Sequence, residues 1–165
     1  MEQPISLAAI LKHKGKSYLL RDMPEDKLKL TETEKKIIKN RLIGLSFSQL
    51  PEKELRFTAD QIILNAAAIS GCPTPETDFF ADVLTAQINE YISEFGFNDL
   101  TVKEIILAFQ LNTKGGLRYP SGLEIDKVHF SGNCFNIDFM SGVLTNYLLL
   151  RNHLDRKLEN HIDGY

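Results

Sequence analysis

"TVKEIILAFQLN", residues 101–112, is the stretch on which the fold turns. It opens with Thr101-x-x-Glu104, a capping box in which hydroxyl and carboxylate satisfy the free N–H groups of a first helical turn. Beyond the cap, Val102, Ile105, Ile106, Leu107, Ala108, Phe109 and Leu111 leave almost no polar side. A helix so apolar all round belongs in the middle of a bundle, where every face meets another element. Its neighbours should then be amphipathic, each turning one stripe toward it.

Working outward, residues 75–95 supply the clearest such stripe. Phe80, Leu84, Ile88, Tyr91 and Phe95 recur at helical spacing, with Asp78, Asp82, Thr85 and Asn89 opposite. Pro75 suits a first helical residue, and Gly96 closes the helix. Thr58-x-x-Gln61 opens another, with Ile62, Ile63, Ala66 and Ile69 on one side; "SFSQLPEKELRF" before it reads as a connection with a short helical turn. Thr31-x-x-Glu34 caps a third, carrying Ile37, Ile38, Arg41 and Leu42 and ending near Gly44. Before Pro24, "ISLAAILKH" suits a short helix and "KSYLLRDM" a short strand or turn. On the other side, "LEIDKVHF" alternates as a strand or hairpin arm would, and Asn136 caps a final helix running to about residue 160. Met140, Val143, Leu144, Tyr147, Leu154 and Leu158 form its inner face. The expectation is one all-α domain over residues 1–165, a bundle of five to six helices with an irregular or hairpin-containing insert at about 113–136. Residues 1–30 are expected as a loosely packed N-terminal arm.

The composition suits a folded domain with a sizeable core: 165 residues, 43% hydrophobic and 25% charged. No apolar run approaches the roughly 18–20 residues that span a bilayer. The first twenty residues place the acidic residue before the basic cluster, the reverse of a secretory signal. With two cysteines only, Cys72 and Cys134, the cytoplasm is the expected setting and a disulfide is not expected. Net charge is −3, unevenly spread. Residues 1–57 hold 12 Lys/Arg against 8 Asp/Glu, residues 58–112 hold 1 against 8, and residues 113–165 hold 6 of each. That is no footprint for duplex DNA, although it allows a local basic patch. The acidic middle would suit a basic protein partner or a solvated face.

Catalytic constellations are not expected. Gly15-Lys16-Ser17 lacks the earlier glycine of a phosphate-binding loop, since Ile10 stands there. His13, His129, His153 and His161 are scattered, and His129 with Cys134 lacks two further zinc ligands. The pairs Asp78/Asp82 and Glu90/Glu94 read as solvated faces, and no Gly-x-Ser-x-Gly elbow occurs. Neither a metal nor a cofactor is expected. "TKGGLRYPSG", residues 113–122, offers Lys114, Arg118 and Tyr119 for phosphate contact and base stacking; as plain structure it is a helix stop and connector.

The order "INEYISEFGFNDLTVKEIILAFQLNTKGG … FNIDFMSGVLTNYLLLR" resembles the helical domain of DnaD-like primosome and helicase-loader proteins, over about residues 85–155. Their Tyr-x3-Ile-x3-Trp pattern would fall on Phe139, Val143 and Tyr147, all three substituted. The chain also has the general look of replication-associated proteins of bacterial phages and mobile elements. The resemblance implies a non-enzymatic replication accessory that binds a helicase-like partner and, weakly, single-stranded or forked DNA. Arg151, Arg156 and Lys157 would then join Lys114, Arg118 and Tyr119 at the nucleic acid, the two basic sets converging on one face. The alternative is a protein-interaction or assembly module that touches no nucleic acid, supported by the acidic middle.

Overall fold

The computed structural model describes residues 10–13, 16–19, 30–42, 45–115, 117–118 and 122–163. Strands β1 (Ile10–His13) and β2 (Lys16–Leu19) pair antiparallel, Ile10 opposite Leu19 and His13 opposite Lys16. Ile10–His13 is thus extended where a helix was expected. Five helices follow: α1 (Glu32–Leu42), α2 (Glu52–Ser70), α3 (Asp78–Glu94), α4 (Val102–Lys114) and α5 (Ile137–Asp163). Between α4 and α5, β3 (Leu117–Arg118) pairs antiparallel with β4 (Glu124–Ile125), so the insert contains a minimal hairpin. The fold is an all-α bundle.

Two capping boxes form as their spacing predicts. Thr31 Oγ1 accepts from Glu34 N at 3.1 Å while Glu34 Oε1 accepts from Thr31 N at 2.9 Å. Thr101 and Glu104 repeat the exchange at 3.1 and 3.2 Å. At α5, Asn136 Oδ1 accepts from Phe139 N at 2.9 Å. Two other starts move. Helix α2 begins at Glu52 behind Pro51, six residues before Thr58, because "EKELRF" continues the apolar stripe and its acidic first turn favours the helix N-terminus. Helix α3 begins at Asp78, with Thr77 rather than Pro75 at its entry: Thr77 Oγ1 accepts from Phe80 N at 3.3 Å.

Helix α4 occupies the centre and packs against α1, α2 and α5. Ile105, Leu107, Ala108, Phe109 and Leu111 are all buried, while Lys103, Gln110 and Lys114 keep one strip of the helix in solvent, so it is covered on most sides and not on all. Phe109 meets Phe135 and Phe139 with ring centroids 5.6 and 5.8 Å apart, closing one end of the core. At the other end a 3-10 turn, Phe47–Gln49, seats Phe47 in the core. Its backbone ties the α1–α2 connection to the turn before α4 through Phe47 N to Leu100 O (2.8 Å) and Ser48 N to Asn98 O (2.7 Å).

The α4–α5 connection is fixed by side-chain amides. Asn112 both donates to Val128 O (3.0 Å) and accepts from Val128 N (2.8 Å), and Asn146 Nδ2 donates to Asp126 O at 2.9 Å. These bonds press Val128 onto α5 at Gly142, where a β-carbon would stand 3.0 Å from Val128 Cγ1. Only glycine admits that approach without displacement.

Candidate functional site

The cations expected to hold phosphate are dispersed. Lys114 is exposed at the end of α4, and Arg156 is exposed on α5. Arg118 lies opposite Glu124 in the β3–β4 pair, and Tyr119 falls outside the described residues. Lys157 Nζ donates to the buried Glu34 Oε1 at 2.9 Å, joining α5 to α1. Arg151 is only 8% exposed and faces inward. Its Nε stands 3.6 Å from Glu104 Oε2, and its Nη1 lies 3.4 Å from Asp99 Oδ2 without hydrogen-bond geometry.

The two basic sets do not converge. Helices α4 and α5 run antiparallel: Glu104 meets Tyr147 and Arg151, while Phe109 meets Phe139. Lys114 therefore stands about 15 Å along α4 from the turn that Arg151 contacts, at 1.5 Å per residue. Turning Arg151 outward to a phosphate would strand Glu104 in the core, a change that costs several kcal/mol.

Around Glu104 the side chains form a closed polar cluster. Tyr147 Oη donates to Glu104 Oε2 at 2.7 Å, and Thr101 Oγ1 donates to Asn40 O at 2.7 Å, so α1, α4 and α5 meet there. Burial raises the Glu104 carboxyl above its ordinary value, opposed by Arg151, the Tyr147 hydroxyl and the Thr101 amide. Burial and the Glu104 charge likewise push the Tyr147 hydroxyl upward, so it stays protonated and donating. Nearby, Arg41 Nη1 meets Asp155 Oδ1 at 2.5 Å, with side chains 3% and 5% exposed. Phe139, Val143 and Tyr147 all face the core. Each element of this cluster holds helices together, and none is presented to a ligand.

The surface of α2 and α3 is different. A groove of about 550 Å³ runs between the two helices, walled by Asp60, Ile63 and Leu64 on one side and by Asp78, Ala81 and Asp82 on the other. Arg56 and Asp82 form an ion pair across it, and Thr85 Oγ1 donates to Asp60 Oδ1 at 2.6 Å. Thr85 is buried by that contact, not solvated as its position opposite the apolar stripe suggests. Leu64 is 55% exposed, Phe57 one face-repeat earlier is 66% exposed, and Phe79 beside Asp78 is 71% exposed. Phe80 and Phe95, expected in the core stripe of α3, are also exposed, because the helix packs along its middle, through Leu84, Thr85, Ile88, Tyr91 and Ile92.

A pocket among α4, β4 and α5, lined by Leu111, Asn112, Ile125 and Tyr147, holds about 20 Å³, room for one water. No three His, Cys, Asp or Glu side chains gather as a metal site among the described residues. Cys72 and Cys134 are free thiols, buried and half-buried, and His129 is exposed. No described helix is long and apolar enough to cross a membrane. The chain matches no protein-family model, no curated protein and no solved structure.

Sequence reasoning passed over the two features that organise these surfaces. Arg151 and Asp155 sit among Tyr147, Leu150, Leu154 and Leu158, on the inner stripe of α5; that registration was the available sign that they point inward. The groove left a fainter mark, in the acidic residues and exposed aromatics that share the outer turns of α2 and α3.

Proposed function

We propose that this chain is a non-catalytic protein-interaction module whose acidic α2–α3 surface engages a basic partner, without nucleic acid. The observation that carries the reading is the exposure of Leu64 in the lining of an acidic groove, with Phe57 and Phe79 exposed on the two helices that wall it. Large apolar side chains beside a concave polar surface are costly to leave in water and are what interfaces are built from. Residues 52–94 hold eight Asp/Glu against two Lys/Arg, a balance that repels phosphate and attracts Lys and Arg. Two of the cations that a loader-type reading would use, Arg151 and Lys157, are taken up by internal carboxylates.

The DnaD-like, DNA-contacting reading keeps Lys114 and Arg156, both exposed, and with them Arg118 and Tyr119, whose side chains lie outside the described residues. Each phosphate neutralised on a single strand adds about 0.7 to the salt slope, so two or three cations would give a shallow slope of about 1.4–2.1. The test is co-purification from nuclease-treated extract beside a gel shift with single-stranded and forked DNA at low salt. The module reading expects one stoichiometric partner and no shift. A salt-sensitive shift weakened by Lys114→Ala or Arg156→Ala, with no nuclease-resistant partner, would reverse it.

A further inference from the structure

We infer that the α2–α3 groove docks a single amphipathic, basic helix of the partner, which seats one large apolar side chain and places Lys or Arg against Asp78 and Asp82. The inference rests on the interaction-module reading and adds its site and occupant. The floor supplies the apolar contact: Ile63, Leu64, Pro75 and Ala81 line the same groove of about 550 Å³, ample room for a bulky side chain to insert. The rim supplies the charge. Arg56 already pairs with Asp82 there, showing where a cation sits, while Asp78 lies exposed in the first turn of α3.

The walls are mainly two helices, whose backbone N–H and C=O groups past the first turn of α3 are spent internally. They offer no strand edge, so an incoming segment must satisfy its own backbone, as a helix does and an extended peptide does not. From Arg56 to Leu64 the α2 wall runs about 12 Å, two turns of a partner helix, enough for anchors at i and i+3 or i+4. Other occupants fit worse. A second copy of this chain would set the patch that holds Asp60, Asp78 and Asp82 against the same acidic patch, since a two-fold contact uses one surface twice. Nucleic acid and anionic headgroups would meet the same carboxylates.

The test uses the full chain and two labelled 18-residue probe peptides of identical Leu spacing, one with Lys and one with Glu at the polar positions, read by fluorescence anisotropy. The Lys peptide should bind at about 50 mM salt and weaken severalfold at about 300 mM, and the Glu peptide should not bind. Leu64→Ala and Asp78→Lys should each weaken binding by about tenfold. Thr145→Ala, exposed on α5, should change nothing. Leu64 and Asp78 are exposed, so an unchanged thermal melt should accompany the Leu64→Ala loss, and only a small drop, from the α3 N-terminus, the Asp78→Lys loss. No binding, equal binding of both peptides, or equal binding by wild type and both groove variants overturns the inference. So does a wild-type dimer in sedimentation that Leu64→Ala dissolves. A nuclease-resistant partner retained by both groove variants would sink this site and leave the module reading standing; absence of any such partner would sink the module reading itself.

Discussion

Removing the Tyr147 hydroxyl tests the polar cluster at its centre. Tyr147→Phe keeps the ring, which is buried between α4 and α5, and deletes one bond, the 2.7 Å donation to Glu104 Oε2. Glu104 is 1% exposed, so water cannot replace the lost donor without opening the core. Arg151 Nε at 3.6 Å is too distant to replace it as a hydrogen-bond donor. A hydrogen bond to a charged group contributes about 1.5–3 kcal/mol, and the orphaned acceptor keeps its desolvation cost. The variant should therefore lose about 2 kcal/mol, or roughly 4–8 °C in Tm for a domain of this size. Urea unfolding at neutral pH, followed by far-UV circular dichroism, reads this directly as a lower midpoint at unchanged m. The same bond lowers the Glu104 pKa, so its removal raises that pKa further. A loss below about 0.5 kcal/mol would refute the reasoning, because the hydroxyl would then not be sustaining a buried carboxylate.

Glu104 also predicts a pH dependence. Its folded value lies above the ordinary 4.5, so in the window between the two the folded chain holds a proton that the unfolded chain has released. Stability from this group therefore falls as pH rises through that window, and the wild-type minus Glu104→Gln difference in pH-dependent unfolding should show that slope. Arg41→Ala should cost about 3–5 kcal/mol in urea unfolding, since it removes the guanidinium paired with the buried Asp155 carboxylate. Phe109→Ala should cost a similar 3–5 kcal/mol through the cavity left beside Phe135 and Phe139. Phe57→Ser and Phe79→Ser, by contrast, should stay within about 0.5 kcal/mol of wild type in the same assay, because both side chains are exposed.

The bundle was legible wherever local chemistry and burial coincide. Thr31, Thr101 and Asn136 cap the helices they were expected to cap, and the dense apolar residues between 102 and 111 placed α4 at the centre. Local chemistry misled where one residue type serves two purposes. Thr58 resembles a cap yet lies within α2, because the helix had already begun on an acidic turn behind Pro51. Glu104 reads from spacing as a capping side chain, and it is one; that it also anchors Tyr147 and faces Arg151 depends on how α5 crosses α4. The same long-range fact decided the cations. An Arg on a helix announces its charge, while its direction is set by which stripe the neighbouring helix covers, and α5 turns Arg151 and Asp155 toward that stripe. Lys114 and the 151–157 segment looked like one surface because sequence does not give the sense in which α4 and α5 run.

Site-specific photocrosslinking in cells tests the central claim most directly, with the probe placed at residue 64 in the groove and, separately, at residue 156 on α5. After nuclease treatment, the probe at 64 should yield one stoichiometric partner polypeptide, abolished by Asp78→Lys, and the probe at 156 should not. Adducts confined to nucleic acid, or equal capture from both positions, would contradict the account.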